Sequence, residues 1–157
     1  MKALELAAYV VNKCISDPNL GITNLQLQKI LYFLQIRSLK EDPNQAIISD
    51  TFFRAWKFGP VLTSVYYSYC YNRGLKIDCP VLGDTSNAIP NSNEVPYYVN
   101  NLVEQALKAK PWKLVELSHR DGGAWKKAFE KGLNSVIAMD DMIKESRSFD
   151  EHSFLEE

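Results

Sequence analysis

The sequence is poor in the residues that usually mark a disulfide framework or a metal site. Its 157 residues include three cysteines, an odd number at irregular spacing, and two histidines. Such cysteines match neither a disulfide framework nor the paired spacing of a structural zinc site. His119 and His152 also lie at no spacing typical of metal ligands. We therefore expect reduced thiols, no metal and no other cofactor.

The chain also lacks an excess of charge of either sign. Eighteen basic residues stand against nineteen acidic ones, which gives a formal net charge of −1. Domains that bind nucleic acid usually carry a clear basic excess. Lys126 and Lys127 do adjoin Trp125, a combination that can contact phosphates and bases. Without a basic excess or a helix-turn-helix signature, however, we do not expect nucleic acid as a partner.

Long hydrophobic runs are absent. No stretch approaches the roughly 18 apolar residues that mark a membrane-spanning helix. Residues 1–14 combine an early lysine with an apolar run, but Glu5 and Asn12 interrupt that run and no small-residue cleavage site follows. This pattern favours an amphipathic helix over a signal peptide. We expect a cytoplasmic protein that does not contact a membrane.

Motifs for common enzymatic chemistry are missing as well. No glycine-rich phosphate loop follows a strand pattern, and no sharp nucleophile turn is recognisable. Ser118, His119 and Asp121 are close in sequence, but neighbours on a short connection do not normally converge on one reacting atom. We expect no catalytic residues, and a structural role is the simpler interpretation of His119.

What the sequence does contain is one long, unusually apolar helix pattern from Thr23 to Leu39. Its apolar residues occupy one helical face and extend well beyond it: Leu27, Ile30, Leu31, Tyr32, Phe33, Leu34 and Ile36. A helix that is apolar over most of its circumference usually lies at the centre of a domain. Lys29 is flanked by these residues, and its stem covers core surface in the simplest interpretation. The alternative is an ion-paired or partner-facing lysine.

The remaining patterns are mostly helical and short. They cover residues 3–14, 61–73, 96–110, 111–118, 124–131 and the region after 140, separated by polar or glycine- and proline-containing connections. We predict a mainly α fold: a single compact multi-helix domain, residues 1–145, around the central apolar helix, with at most a small extended ribbon.

Two segments fall outside these helical patterns. Residues 75–94 form a long connection without periodicity. Residues 146–157 are acidic, and we predict a flexible C-terminal tail. A partner-docking role for this tail, through Phe149, Phe154 and Leu155, is the alternative.

Three motifs in this order are similar to those of a known family. The first lies in TNLQLQKILYF, the second in FFRAWKFGPVLTSVY and the third in KLVELSHRDGGAW. Their family positions are Leu27, Lys29, Ile30, Leu31 and Tyr32, then Ala55, Trp56, Gly59, Pro60, Val61 and Tyr66, then Leu114, Ser118, His119 and Trp125. The pattern resembles the Panacea domain family, also called SocA-like, with Ile30 where leucine is more common.

The resemblance implies a helical domain and an antitoxin of a bacterial or prophage toxin–antitoxin system. Such a protein neutralises a cognate protein toxin by direct binding. The alternative within this class is a proteolytic adaptor that delivers the toxin to a cellular protease. The family pattern brings no catalytic residues, so we expect its positions to be structural or binding. Candidate toxin contacts are the loop 75–94, the tyrosine-rich helix that follows Pro60, and the acidic tail.

An alternative from another class is an enzyme that uses a polar patch of Lys29, Ser118 and His119. We predict that Lys29 and His119 meet across the central helix and organise such a patch. The competing interpretation is that each merely satisfies a buried carbonyl. A deep pocket with a strongly shifted lysine or histidine pKa would favour the enzyme, whereas an exposed aromatic surface would favour binding.

Overall fold

The computed structural model describes residues 1–83 and 89–156, and these residues are mainly α-helical. Its helices are α1 (Ala3–Ser16), α2 (Asn24–Glu41), α3 (Thr63–Tyr69), α4 (Tyr98–Lys108), α5 (Pro111–Ser118), α6 (Ala124–Lys131) and α7 (Met139–Ser146). Two short strands, β1 (Arg54–Trp56) and β2 (Gly59–Val61), form a ribbon between α2 and α3. The predicted fold class is confirmed.

Helix α2 lies at the centre of the domain. It begins after Thr23, whose hydroxyl accepts a hydrogen bond from the Gln26 N–H at 3.3 Å, while the Thr23 N–H donates to Gln26 Oε1 at 3.0 Å. This capping box satisfies two backbone groups at the helix start. Helix α2 contacts α1, α3, α4, α5, α7 and β2, and its leucines and isoleucines are buried except Leu25. A helix with so little polar surface requires neighbours on several sides.

The ribbon forms backbone hydrogen bonds with a segment that lies far along the chain. Strands β1 and β2 are antiparallel, with Trp56 opposite Gly59 at the turn. The Ala55 N–H donates to the Ser135 carbonyl at 2.8 Å, and the Ile137 N–H donates to the Phe53 carbonyl at 2.9 Å. Residues on either side of Val136 therefore extend the ribbon through backbone bonds that cross about 80 positions of sequence.

The tyrosine-rich helix is shorter than its sequence pattern predicts. Helix α3 ends at Tyr69, and a 3₁₀ turn follows at Cys70–Asn72. Arg73 then adopts a left-handed backbone conformation, with φ 52°. In the long connection that follows, the Ile77 N–H donates to the Ile22 carbonyl at 2.8 Å and the Val81 N–H to the Tyr69 hydroxyl at 2.9 Å. Part of the predicted contact loop 75–94, residues 84–88, lies outside the described residues.

The C-terminal segment differs from the flexible tail that we expected. Phe149 and Phe154 are buried, and both rings contact Phe33 of α2, at centroid distances of 5.7 Å and 5.1 Å. Residues Glu151–Leu155 form a 3₁₀ turn, at whose start the Asp150 side chain accepts a hydrogen bond from the His152 N–H. The burial of these two rings favours attachment of an otherwise acidic segment, and the Lys40 amine adds a hydrogen bond to the Phe149 carbonyl. Glu157 lies outside the described residues.

None of the helices in residues 1–83 and 89–156 is both long enough and apolar enough to cross a membrane.

Candidate functional site

Most residues of the three motifs lie in the first half of α2 or close to the turn of the ribbon. Lys29, on α2, is only 1% exposed, and its Nζ donates to the Pro60 carbonyl at 3.0 Å. Gly59, beside it, has φ 115°, a conformation that side-chain-bearing residues rarely adopt. A Cβ at Gly59 would lie 2.6 Å from Lys29 Cε and 2.8 Å from Ser118 Oγ. Lys29, Gly59 and Ser118 are thus packed against one another.

The environment of Lys29 is apolar enough to change its protonation. Burial lowers the pKa of the Lys29 amine to about 7, because few groups near it replace the water that a charged amine binds. Ser118, also fully buried, donates its hydroxyl proton to the Val115 carbonyl at 2.7 Å. This bond closes the last turn of α5 and points the Ser118 proton away from the neighbouring histidine.

His119 directly follows Ser118, at the C-terminal end of α5. Its ring stacks on Trp125 of α6 at a centroid distance of 3.6 Å and an interplanar angle of 2°. Burial lowers the pKa of His119, the positive charge of Lys29 lowers it further, and a hydrogen bond to the Phe58 backbone raises it. Its Nε2 is buried and has no hydrogen-bond partner in the described part of the chain. Lys29 and His119 thus interact electrostatically while each bonds a different residue of the ribbon turn.

Trp125 and Trp56 connect α6 to the ribbon. The Trp125 indole N–H donates to the Trp56 carbonyl at 2.9 Å, and the Trp56 indole N–H donates to Asn134 Oδ1 at 3.0 Å. Trp56 also packs edge-on against Tyr66 of α3 at 4.9 Å. These contacts fix both tryptophans from two directions. The other apolar motif positions are also buried: Leu27, Ile30, Leu31, Ala55, Val61 and Leu114.

Tyr32 belongs to a second polar group, which the sequence did not reveal. Its hydroxyl donates to Glu145 of α7, and Arg120 Nε lies 3.5 Å from the other oxygen of that carboxylate. Burial raises the pKa of Glu145, although the bonds to Tyr32 and Arg120 oppose this change. One signal was present in the sequence: Glu145 follows Met142 by three positions, so it lies on the buried face of α7.

Two amide side chains were also missed, although they connect α2 to the start of α3. Gln28 Oε1 accepts from the Leu62 N–H at 2.9 Å, and Gln28 Nε2 donates to Asn24 Oδ1 at 3.0 Å. Asn24 Nδ2 in turn donates to the Tyr66 carbonyl at 3.1 Å. Both residues are buried on α2, and polar residues within an apolar helix were the signal for such a role.

A cavity of about 400 Å³ opens between α2, the ribbon turn and the end of α3. Its walls are mainly apolar and include Leu25, Lys29, Trp56, Phe58, Val61 and Tyr66. We call it the Lys29 pocket. A cavity of this size falls within the range of small-molecule sites.

An exposed apolar surface lies beside the pocket. We call it the ribbon face and define it by Trp56, Phe58, Tyr67, Trp112 and Leu133. Phe58 contacts Trp112 at 5.8 Å, Tyr67 contacts Trp56 at 6.3 Å, and Leu133 shares a shallow groove with both Trp56 and Tyr67. Tyr67 and Trp112 are each 64% exposed. Contiguous exposed aromatic residues of this kind are typical of interaction sites.

The site lacks a Ser118–His119 nucleophile pair, but Lys29 meets the criterion of a shifted pKa in a pocket that we set for an enzyme. The Ser118 proton is donated to a backbone carbonyl, so Ser118 and His119 do not form a nucleophile–base pair in this structure. Within residues 1–83 and 89–156, no cluster of three or more histidine, cysteine or acidic residues could hold a metal ion. Lys29 is the one motif residue with both an altered pKa near neutrality and a place in a pocket wall.

Comparison with known proteins gives one family. Residues 27–126 match the family described as antitoxin SocA-like, Panacea domain. Antitoxin SocA from Caulobacter vibrioides (strain NA1000 / CB15N) is 32% identical to this chain over an alignment 116 positions long, which covers 68% of this chain and 60% of that protein. The chain thus matches about 60% of the length of this curated relative. No solved structure matches. The matched segment contains every motif position from Leu27 to Trp125, and we conclude that the chain belongs to the antitoxin SocA-like, Panacea domain family.

Proposed function

We propose that this protein is an antitoxin that neutralises a cognate protein toxin by direct binding, without catalysing a reaction. Family membership supports the antitoxin role. The observation that carries the binding mechanism is the ribbon face, where Phe58, Tyr67 and Trp112 are exposed beside the half-buried Trp56. Tryptophan and tyrosine residues contribute a large share of the binding energy at protein interfaces.

The ribbon face is suited to binding because one of its aromatic residues, Trp56, is already held in place. Trp56 is fixed by its bond to Asn134 and by the bond that its carbonyl accepts from Trp125. A side chain that is ordered before binding loses less conformational entropy when the partner arrives. Arg54 and Lys57 lie along the same edge, so we expect an apolar toxin surface bordered by acidic side chains.

With the ribbon face as the interface, the contact regions expected from the sequence contribute unequally to toxin binding. The tyrosine-rich helix contributes Tyr67 directly. The acidic tail contributes less, because Phe149 and Phe154 are turned into the core.

A growth assay with the neighbouring reading frame tests the proposal. The frame next to the gene for this protein is expressed from one inducer and this protein from another, with viability and co-purification followed together. We expect the neighbour to stop growth alone, and co-expression to restore growth with a stable complex. A harmless neighbour that does not co-purify would contradict the antitoxin role.

Variants of exposed residues test the surface. The double variant Tyr67→Ser/Trp112→Ser removes two anchors of the ribbon face and should abolish rescue, because each anchor contributes about 2 kcal/mol, or roughly 30-fold in affinity. The matched control is Tyr97→Ser, which removes a 79% exposed tyrosine that bonds Glu41 near the other end of α2. Rescue by the double variant equal to that of the control would place the toxin elsewhere.

The same assay separates direct neutralisation from the adaptor alternative. Direct neutralisation leaves the toxin intact and bound. Loss of the toxin that depends on a cellular protease would instead support delivery for proteolysis.

A further inference from the structure

We propose that the Lys29 pocket binds a small apolar molecule that carries a carboxylate. This inference requires no toxin and goes beyond the antitoxin proposal. It rests on three features of the pocket: its size, the sign of its charged side chains, and the character of its walls. The volume of about 400 Å³ accommodates a single aromatic ring with a short acidic side chain.

The charged side chains of the pocket all have the same sign. Lys29 lies in the wall formed by α2, Lys57 in the ribbon turn, and Arg73 at the end of the 3₁₀ turn. In the described part of the chain, no aspartate or glutamate lines the cavity. Two exposed cations, Lys57 and Arg73, and a buried amine that an anion would help to protonate favour an anionic occupant.

Arg73 and Lys29 can supply the contacts that a carboxylate needs. An arginine guanidinium binds a carboxylate through two parallel hydrogen bonds. Lys29 donates one hydrogen bond to the Pro60 carbonyl, whereas an ammonium group has three donors. Arg73 is exposed and Lys29 is buried, so an acidic group can bind Arg73 at the outer side of the pocket and favour the protonated form of Lys29 at its inner side.

The walls of the pocket select an apolar body. Trp56, Phe58, Val61 and Tyr66 present rings and methyl groups to the cavity. The amide of Gln28 also lies there, but its oxygen and nitrogen are engaged by Leu62 and Asn24. Few neutral polar groups therefore remain for a sugar or another polyhydroxyl ligand, which favours an apolar acid.

Cys70 provides a natural reporter for the test. It lines the pocket and is exposed, whereas Cys79 is exposed outside the pocket lining. Cys14 is buried, and burial raises the pKa of its thiol to about 11, so it reacts slowly. The rate of maleimide modification at Cys70 and Cys79 is measured by mass spectrometry with increasing phenylacetate. We expect phenylacetate to slow modification at Cys70 several-fold and to leave Cys79 unchanged.

A neutral ligand of the same shape tests the role of charge. Phenylacetamide should protect Cys70 at roughly tenfold higher concentration than phenylacetate, because it lacks the charge-assisted bonds. Equal protection by the two compounds, or none by either at tens of millimolar, would overturn the proposal. A short peptide that ends in phenylalanine, compared with its C-terminal amide, distinguishes a protein C-terminus from a free acid as the source of the carboxylate.

Two exposed substitutions keep the test independent of folding. Arg73→Gln and Lys57→Gln change side chains at the rim of the pocket, so both variants should fold normally. We expect Arg73→Gln to reduce the preference for phenylacetate over phenylacetamide roughly tenfold. Lys29→Met should reduce it in the same way. An unchanged preference in Arg73→Gln and in the double variant Arg73→Gln/Lys57→Gln would show that the cations do not bind the acid.

Discussion

The absence of a side chain at Gly59 leaves the space that the Lys29 side chain occupies. The Lys29 side chain reaches from α2 to the ribbon turn and donates to the Pro60 carbonyl at 3.0 Å. It passes so close to Gly59 that a Cβ there would lie 2.6 Å from its Cε. The lysine and the glycine of two separate motifs are therefore packed against each other, and a side chain at Gly59 would displace Lys29.

Gly59→Ala should be strongly destabilising. The new methyl group meets Lys29 and Ser118, and alanine must also adopt a φ of 115°. We expect a loss of about 2 kcal/mol or more in the free energy of unfolding, measured by urea denaturation. Gly74→Ala is the matched control: its φ is 78°, but a Cβ there meets nothing within 4 Å. Its cost should be limited to about 1 kcal/mol of backbone strain. Equal losses in the two variants would contradict the packing argument.

Lys29→Met should change how stability depends on pH. The pKa of Lys29 is lowered from 10.5 to about 7 by burial, so between these values the unfolded chain binds a proton that the folded chain does not. The contribution of Lys29 to stability is then fully present above pH 10.5 and is lost as the pH falls toward 7. The stability of the wild-type protein relative to Lys29→Met should rise by about 1 kcal/mol per pH unit between pH 7.5 and 9.5.

The comparison with Lys29→Met isolates this effect, because His119, the cysteines and the tyrosines are present in both proteins. Urea denaturation at four or five pH values gives the difference. A constant difference across this window would mean that Lys29 stays charged in the folded protein.

Tyr32 and Glu145 should be energetically coupled. Tyr32→Phe removes a hydrogen bond to a buried carboxylate, and we expect a loss of about 1–3 kcal/mol in the free energy of unfolding. In a Glu145→Leu background the same change should cost less, because no carboxylate is left without a donor. The double-mutant cycle measures this difference directly. Tyr9→Phe, which removes a bond to the neutral Asn100, is the control. Additive effects of Tyr32→Phe and Glu145→Leu would argue against the coupling.

The sequence predicted those parts of the fold that depend on local periodicity. The apolar pattern of residues 27–36 identified α2 as the central helix, and Thr23 marked its start, because capping and burial on one helix face are local properties. The ribbon was less visible, since strands of three residues are too short to show alternation. Its register depends on backbone bonds to residues 135–137, which no local pattern encodes.

The candidate site was visible only in part. The motifs identified Lys29, Gly59, Ser118 and His119 as special residues, but their common location at the ribbon turn depends on the packing of α2 against α5. The partner of Tyr32 was missed, because Glu145 lies in a polar stretch that reads as surface. In the same way, the acidic composition after residue 146 predicted a flexible tail, although the two phenylalanines within it attach the C-terminus.

Phe154→Ala should show that the C-terminal segment is part of the folded domain. Phe154 is 2% exposed and packs against Phe33 of α2, whereas its neighbour Leu155 is 50% exposed. Removing a buried phenylalanine ring typically costs about 3–5 kcal/mol, and we expect a loss toward the lower end because the segment is terminal and can adjust. Leu155→Ala should cost about 0.5 kcal/mol or less. Urea denaturation measures both variants, and hydrogen exchange of the Phe33 region shows where the effect lies. Similar small losses in the two variants would mean that the segment detaches in solution, and would return Phe154 to the set of residues available to a partner.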